Sequence, residues 1–318
     1  MTGPIPPGAV AVLERGSFCH LAAVTASGPH LTPMVFAWSG HRLWVTTSRR
    51  SVKAAVWRRE RSVAGLVQAG RTAVSFGGVA TTYDALDVGT WERSVLRSPA
   101  LARAAVRFSR KNARFFAGYA VDAHRVPMSW TPPGRVFVEI ELRRGILLAE
   151  DGAEDRWGRW RRSSVSRPSF RADRRGTSPI EALPEPVREA LGQAGRGAMA
   201  FGADGGSLVL PADWALDETA LYASVRASTL ELAGLEDPSP PVALVMDRPS
   251  WWRARSMVGA MVRGRGEISI PGRLRTGSGS ARQRVRLTGA EPTGAALVRL
   301  RPERLVWWSG WESGTVPR

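Results

Sequence analysis

The chain has 318 residues, 43% of them hydrophobic, which is enough for the cores of two domains of ordinary size. Its net charge of +17 is almost all arginine, because Lys53 and Lys111 are the only lysines among 45 basic residues. This bias, with abundant Ala, Gly and Pro, reads as the codon preference of a GC-rich genome, so charge alone is thin support for nucleic-acid binding.

The start, MTGPIPPGAV, lacks the basic and apolar regions of a signal peptide, and no apolar run is long enough to span a bilayer. A cytoplasmic protein with no membrane partner is expected. The single cysteine, Cys19, excludes an intramolecular disulfide and a cysteine-based metal cluster. It sits in the apolar run 18–24, where a buried structural thiol is expected rather than a nucleophile.

Residues 7–16, PGAVAVLERG, predict a short helix ended by Gly16. A strand follows over 18–25, with a turn at 26–29. The next stretch, 31–67, reads LTPMVFAWSGHRLWVTTSRRSVKAAVWRRERSVAGLV. Two β runs, 31–38 and 42–47, are joined at Ser39-Gly40. A polar loop, 47–51, leads into a helix over 52–59, and a core strand follows at 63–67. A Thr-Thr-Ser rim and a helix start carrying Ser51 and Lys53 place hydroxyls, free backbone N–H groups and a cation together, a combination that suits a phosphate. The plainer account is a capped helix with a solvated lysine.

Residues 71–83 predict a strand in which Gly77-Gly78 allows a bulge or the close approach of another group. Residues 91–119 are helical, with Pro99 opening a second helix. Apolar Val95, Leu96, Leu101, Phe108 and Phe115 take one face, and Arg97, Arg103, Arg107, Arg110 and Lys111 the other. A closing strand pair is expected over 135–148. From about 150 to 186 the composition turns to Arg, Ser, Asp, Gly and Pro, as in an irregular linker anchored by Trp157 and Trp160. Packing of this segment on the first domain is a simpler reading than contact with RNA or a membrane.

Shifting the sequence by 178 residues lays the second half on the first without gaps over about 55 positions, so that Gly28 meets Gly206, Pro33 meets Pro211 and Leu66-Val67 meet Leu244-Val245. The chain then runs through 257–270, a Gly-rich loop at 271–282, and closing strands at 295–301 and 304–308. In this alignment Thr46, Thr47, Ser48, Ser51 and Lys53 are answered by Ser224, Val225, Arg226, Thr229 and Glu231. Glutamate in place of lysine reverses the charge where a phosphate would sit. A like charge at about 4 Å costs roughly 4 kcal/mol at an effective dielectric of about 20, so one phosphate site per chain is expected.

The order P-x-x-F/W, turn, L-W-V-T-T-S-x-x-S-x-K, helix, R-x-R-S-V-A-x-L-V resembles the first half of the FMN-binding split barrels, the pyridoxamine 5′-phosphate oxidase-like superfamily. The resemblance is carried by residues 10–83. It implies a mainly β chain of two tandem split barrels forming an intramolecular pseudo-dimer: a cofactor-competent domain over 1–150 with a helical insertion at about 91–119, a linker over 151–185, and a degenerate domain over 186–318. It also implies an FMN site in which Lys53, Ser51 and Thr47, with Ser48, hold the phosphate, while Thr46 and the backbone of Met34, Val35 and Phe36 face the ring system. Arg71 and Thr72 contact the ring or phosphate, and Trp307 and Trp308 cross from the second copy.

Pro33, Trp38 and the ending GWESGTVPR do not reproduce the substrate-gripping residues of true pyridoxamine-phosphate oxidases, so vitamin B6 oxidation is not expected. Relatives on this fold use a deazaflavin coenzyme or bind heme. The expected function is therefore an FMN-dependent oxidoreductase acting on a small molecule. The alternatives are a deazaflavin-dependent reductase, a heme-binding protein, or a non-catalytic binding protein that has lost the cofactor. His20, His30, His41 and His124 show no metal-ligand spacing, and no nucleophile elbow or dinucleotide fingerprint is present.

Overall fold

The computed structural model describes residues 3–87, 89, 91–121, 134–149, 154–160, 181–203, 206–216, 220–235, 237–250, 254–269 and 294–316. Trp251, Trp252, the Gly-rich loop at 271–282 and much of the expected linker lie outside the described residues. The first half comprises α1 (Pro7–Arg15), β1 (Phe18–Thr25), β2 (Gly28–Ser39), β3 (Arg42–Ser48), α2 (Val52–Arg59), β4 (Ser62–Ala69), β5 (Thr72–Tyr83), α3 (Trp91–Leu96), α4 (Ser98–Lys111), α5 (Ala113–Val121), β6 (Arg135–Leu148) and β7 (Glu154–Trp157). The second half comprises α6 (Glu185–Leu191), β8 (Ala194–Phe201), β9 (Leu208–Leu216), β10 (Leu221–Arg226), α7 (Ala227–Leu232), β11 (Pro241–Arg248), β12 (Val258–Ser269), β13 (Ala295–Ser309) and β14 (Glu312–Val316).

Each half is a seven-stranded antiparallel sheet rolled shut. The strand orders are β3-β2-β1-β4-β5-β6-β7 and β10-β9-β8-β11-β12-β13-β14, closed into six-stranded barrels by the pairings of β3 with β6 and β10 with β13. Closure leaves no edge on the six barrel strands, and the seventh strand covers the outer flank of β6 or β13. The hairpin between β2 and β3 turns on Gly40 (φ 60°) and His41 (φ 57°), one residue later than the sequence reading placed it. Two positive φ angles in a two-residue loop match the twist of the flanking strands. Gly16 ends α1 for a different reason than conformational freedom: its φ is −59°, and a Cβ there would lie 2.4 Å from a methyl of Val67.

The 178-residue shift holds in the hydrogen-bond registers. Phe18 pairs with Val35 and Arg196 with Asp213; Phe36 pairs with Val45 and Trp214 with Ala223. The β-bulges recur as well, at Gly77/Gly78 between β5 and β6 and at Arg263/Gly264 between β12 and β13. Two expectations at the closing strands need correcting. Residues 135–148 and 295–309 are each one long strand, because the bulge absorbs an extra residue where a break was expected, and Pro302 is tolerated beside it. The first sheet also runs past residue 150, since β7 pairs with β6 and buried Trp157 lies over Gly145. Trp160 lies under the Arg144 guanidinium, 4.7 Å from ring to cation.

The two barrels pack reciprocally: β11 and β12 lie on β2, while their equivalents β4 and β5 lie on β9, the equivalent of β2. That is the arrangement of an isologous dimer made within one chain. One continuous apolar core joins Leu31, Leu66, Ile146 and Leu148 of the first half to Leu210, Val245 and Met246 of the second. His20 Nε2 meets Asp247 Oδ1 across the junction at 3.2 Å, both side chains nearly buried. No helix among the described residues is long and apolar enough to cross a membrane.

Candidate functional site

The polar loop after β3 is held in place by its own side chains. Ser51 caps α2 by accepting from the Ala54 N–H at 3.1 Å, and its hydroxyl lies 3.0 Å from that of Thr47. One hydrogen is spent between the two hydroxyls, so the pair retains one for a ligand. The rest of the loop is fastened from below. Buried Asp84 receives Arg49 from the loop and Arg58 Nη2 from the last turn of α2, the latter at 2.8 Å.

Lys53 projects from the first turn of α2 to Thr32 on β2, with Nζ 2.7 Å from Oγ1. No carboxylate pairs with it among the described residues. Its neighbour is Arg135 at the start of β6, which donates through Nε and Nη2 to the Thr46 hydroxyl at 3.0 and 2.8 Å and to the Thr46 carbonyl at 2.9 Å. Burial, with the Arg135 charge adding to it, holds the Lys53 ammonium down at about 8. His30, further along β2, is pushed down to about 3, by burial first and then by Lys53, Arg263 and Arg304. Lys53 of the first barrel and Arg263 and Arg304 of the second therefore all act on His30.

Sequence reasoning missed Arg135. Its signal was available only in space, because β3 and β6 are paired across a long separation, Ser48 opposite Arg135. Of the residues it did select, Thr47 and Ser51 meet through their hydroxyls, Thr46 holds Arg135, and Lys53 reaches Thr32 within the electrostatic reach of Arg135. Phe36 does not join them: its ring is fully buried under Lys111 Nζ, 3.7 Å from the centroid, and its carbonyl accepts from Asn112 Nδ2 at 3.3 Å. Met34, also buried, accepts the Cys19 thiol on its carbonyl at 3.5 Å.

Arg71 and Thr72 line another opening. A cavity of about 410 Å³ lies at the barrel junction between Gln68, Arg71, Thr72 and Leu148 of the first half and Arg196, Asp213, Ser224, Arg226 and Thr229 of the second. The 178-residue shift carries Val35, Thr46, Ser48 and Ser51 onto Asp213, Ser224, Arg226 and Thr229, so this cavity is the pseudo-twofold mate of the Lys53 cleft. The same symmetry locates Trp308. It pairs with Gly259 as Leu148 pairs with Ala73, and so is the symmetry counterpart of Leu148. Trp307 and Trp308 are partly buried and packed against the shared core, with Gly314 and Gly259 under their indoles.

The expected charge reversal at Glu231 needs correcting. α7 starts at Ala227, with Arg226 at the N-cap position and no side-chain cap, whereas the shifted start of α2 would be Leu230. The loop has been wound into the helix, which buries Thr229 and turns Glu231 outward, where it is exposed and does not line the cavity. No cluster of metal-ligating side chains occurs among the described residues.

The closed antiparallel barrel with its paired bulge, repeated about a pseudo-twofold axis, decides the fold. The chain is a tandem pair of split barrels. Each is a closed antiparallel barrel of six strands with a seventh on its flank. No family model matches the sequence, and no curated protein does. Among solved structures, the split-barrel chain is similar to a conserved hypothetical protein from Mycobacterium tuberculosis, at 26% identity over 45% of this chain and 83% of that one, with a TM-score of 0.32. It is similar to a pyridoxamine 5′-phosphate oxidase-related, FMN binding protein from Nostoc punctiforme, at 20% identity over 48% and 90%, TM-score 0.36. It is also similar to the heme storage protein HutZ of Vibrio cholerae, at 13% identity over 44% and 91%, TM-score 0.29.

Proposed function

We propose that the first split barrel binds FMN by its phosphate at Lys53 and that the chain is a flavin-dependent oxidoreductase acting on a small molecule. The observation that carries this reading is the setting of Lys53: an ammonium that no carboxylate among the described residues pairs with, held by Thr32 beside Arg135, with the Thr47 and Ser51 hydroxyls at the adjoining helix start. The donor set fits a phosphate dianion. Lys53 has two further N–H groups to give, and the charge that disfavours it in the free protein is what a dianion neutralises. Trp308, at the junction side of the cleft, supplies a flat apolar wall for a ring system.

When bound, the flavin supplies the hydride chemistry. The chain's own residues grip the phosphate, orient the ring against the second barrel, and exclude water through the shared apolar core. Of the proteins quoted above, one is described as FMN binding and one as a heme storage protein. The cationic cleft favours the phosphate-bearing cofactor, which is also the point on which a deazaflavin coenzyme, itself phosphate-bearing, stays compatible. The test is the visible spectrum of the purified protein together with titration of FMN. Lys53→Glu is expected to weaken FMN by at least about tenfold, and Glu231→Lys, on the exposed face of α7, to leave it unchanged. Equal losses in the two variants would refute the assignment.

A further inference from the structure

The helical insertion between β5 and β6 packs one side on the first barrel and leaves another in water. Ala104 of α4 is buried with Trp44 and Tyr83, and Phe108 meets the Phe137 ring edge-on, with centroids 5.8 Å apart. Beyond that contact, seven of the eight large apolar side chains exposed among the described residues fall between Leu86 and Val121. Leu86, Trp91, Val95, Leu96, Val106 and Val121 are each more than half exposed. Such a concentration in one short stretch marks a contact surface, which singly scattered apolar residues do not. The Trp91 N–H donates to the Ala85 carbonyl at 3.1 Å, which ties α3 back to the chain that leads into it. The charge of the insertion is one-sided as well. From Trp91 to Val121 there are seven basic residues and one carboxylate, Glu92. Arg103, Arg107 and Arg110 recur at four- and three-residue spacing, so they share one exposed stripe of α4. Arg107 and Arg97 come only within 4.0 and 3.9 Å of Glu14 and Glu139, from guanidinium side chains that stay more than half exposed. Lys111 turns inward over the Phe36 ring and takes no part in the stripe.

We propose that the insertion is a docking surface for an anionic lipid bilayer, with the apolar side chains of α3 and its lead-in entering the interface and the α4 arginines lying at the headgroups. Exposed Trp, Leu and Val beside arginine is the composition of an interfacial contact, because acyl chains cover the apolar groups while anionic headgroups meet the guanidinium groups. The long arginine side chains reach headgroups without drawing the helix itself into the hydrocarbon. A second copy meeting this surface about a twofold axis would set the arginine stripe against itself. A nucleic acid would meet the arginines but would leave the aliphatic Leu and Val side chains uncovered, since it binds by phosphate contacts and by stacking on rings. That no helix among the described residues is long and apolar enough to cross a membrane concerns spanning a bilayer and not resting on one. The proposal does not depend on flavin binding at Lys53.

The experiment is co-sedimentation of the full chain with vesicles of phosphatidylcholine, alone or mixed with phosphatidylserine. The chain is expected to pellet with the mixed vesicles, to stay in solution with the neutral ones, and to be released as salt is raised. Glycerophosphoserine, the headgroup without its acyl chains, is expected not to compete. Val95→Ser combined with Leu96→Ser, and separately Arg103→Gln combined with Arg110→Gln, should each weaken vesicle binding at least about tenfold. All four side chains are exposed, so these variants should keep the melting temperature of the parent chain. Arg188→Gln combined with Arg299→Gln removes the same charge from exposed positions on the second half and should leave binding unchanged. Equal binding to neutral vesicles, equal loss in the second-half pair, release by glycerophosphoserine, no pelleting of the wild-type chain, or a dimer that the same substitutions dissociate would each overturn the proposal.

Discussion

Raising the pH should release the flavin from Lys53 in a way that reports the state of that one side chain. In the free protein burial holds Lys53 at about 8, whereas beside a phosphate dianion its proton is retained well above that value. The free protein must then take up a proton to bind, so affinity is full below about 8 and is lost as pH rises through it. For a single group with these values the apparent Kd rises about tenfold between pH 7 and pH 9. The phosphate, whose second pKa is about 6, stays dianionic throughout and contributes no slope. Flavin fluorescence titrations at pH 7, 8 and 9 measure the effect. Lys53→Arg should bind without the slope, because a guanidinium stays charged over the whole range. A flat profile in the wild-type chain, or the same slope in Lys53→Arg, would refute the reasoning.

Asp84→Asn should cost about 2–3 kcal/mol in urea unfolding, because a buried carboxylate that ties Arg49 and Arg58 together is lost and the loop below the cleft is loosened. A change under about 0.5 kcal/mol would show that the pairs contribute little. His30 is neutral in the fold down to about 3, while the unfolded chain takes its proton near the ordinary 6.5. Stability should therefore fall as pH drops from 6.5 towards 3, by up to about 2 kcal/mol at pH 5. His30→Gln should remove that part of the slope, as urea midpoints at pH 7 and pH 5 would show.

Much of the candidate site was legible because its members are close in the chain. Thr46, Thr47, Ser51 and Lys53 lie on one strand, loop and helix, and local capping chemistry brings the Thr47 and Ser51 hydroxyls together, whereas Lys53 and Thr46 take their partners from β2 and β6. Arg135 was not legible, since only barrel closure between β3 and β6 places it against Thr46. Arg71 and Thr72 were assigned to the wrong opening for a related reason. In a reciprocal pair each barrel completes the other's cleft, so the turn after β4 serves the second half and not its own. The comparison of Lys53 with Glu231 assumed that equal spacing means equal direction. Starting α7 earlier in the aligned frame changed that direction, because a helix rotates each successive side chain by about 100°.

The order of strands, the duplication and the bulge glycines were determined by the sequence itself, because alternation, turn residues and a repeated pattern act over a few neighbours and survive divergence. Which cations share a cleft, which carboxylates face away, and which half completes which opening were decided only when the barrels closed and packed on each other. Those relations depend on pairings between residues far apart in the chain, and on helix phase, for which spacing along the sequence carries no signal.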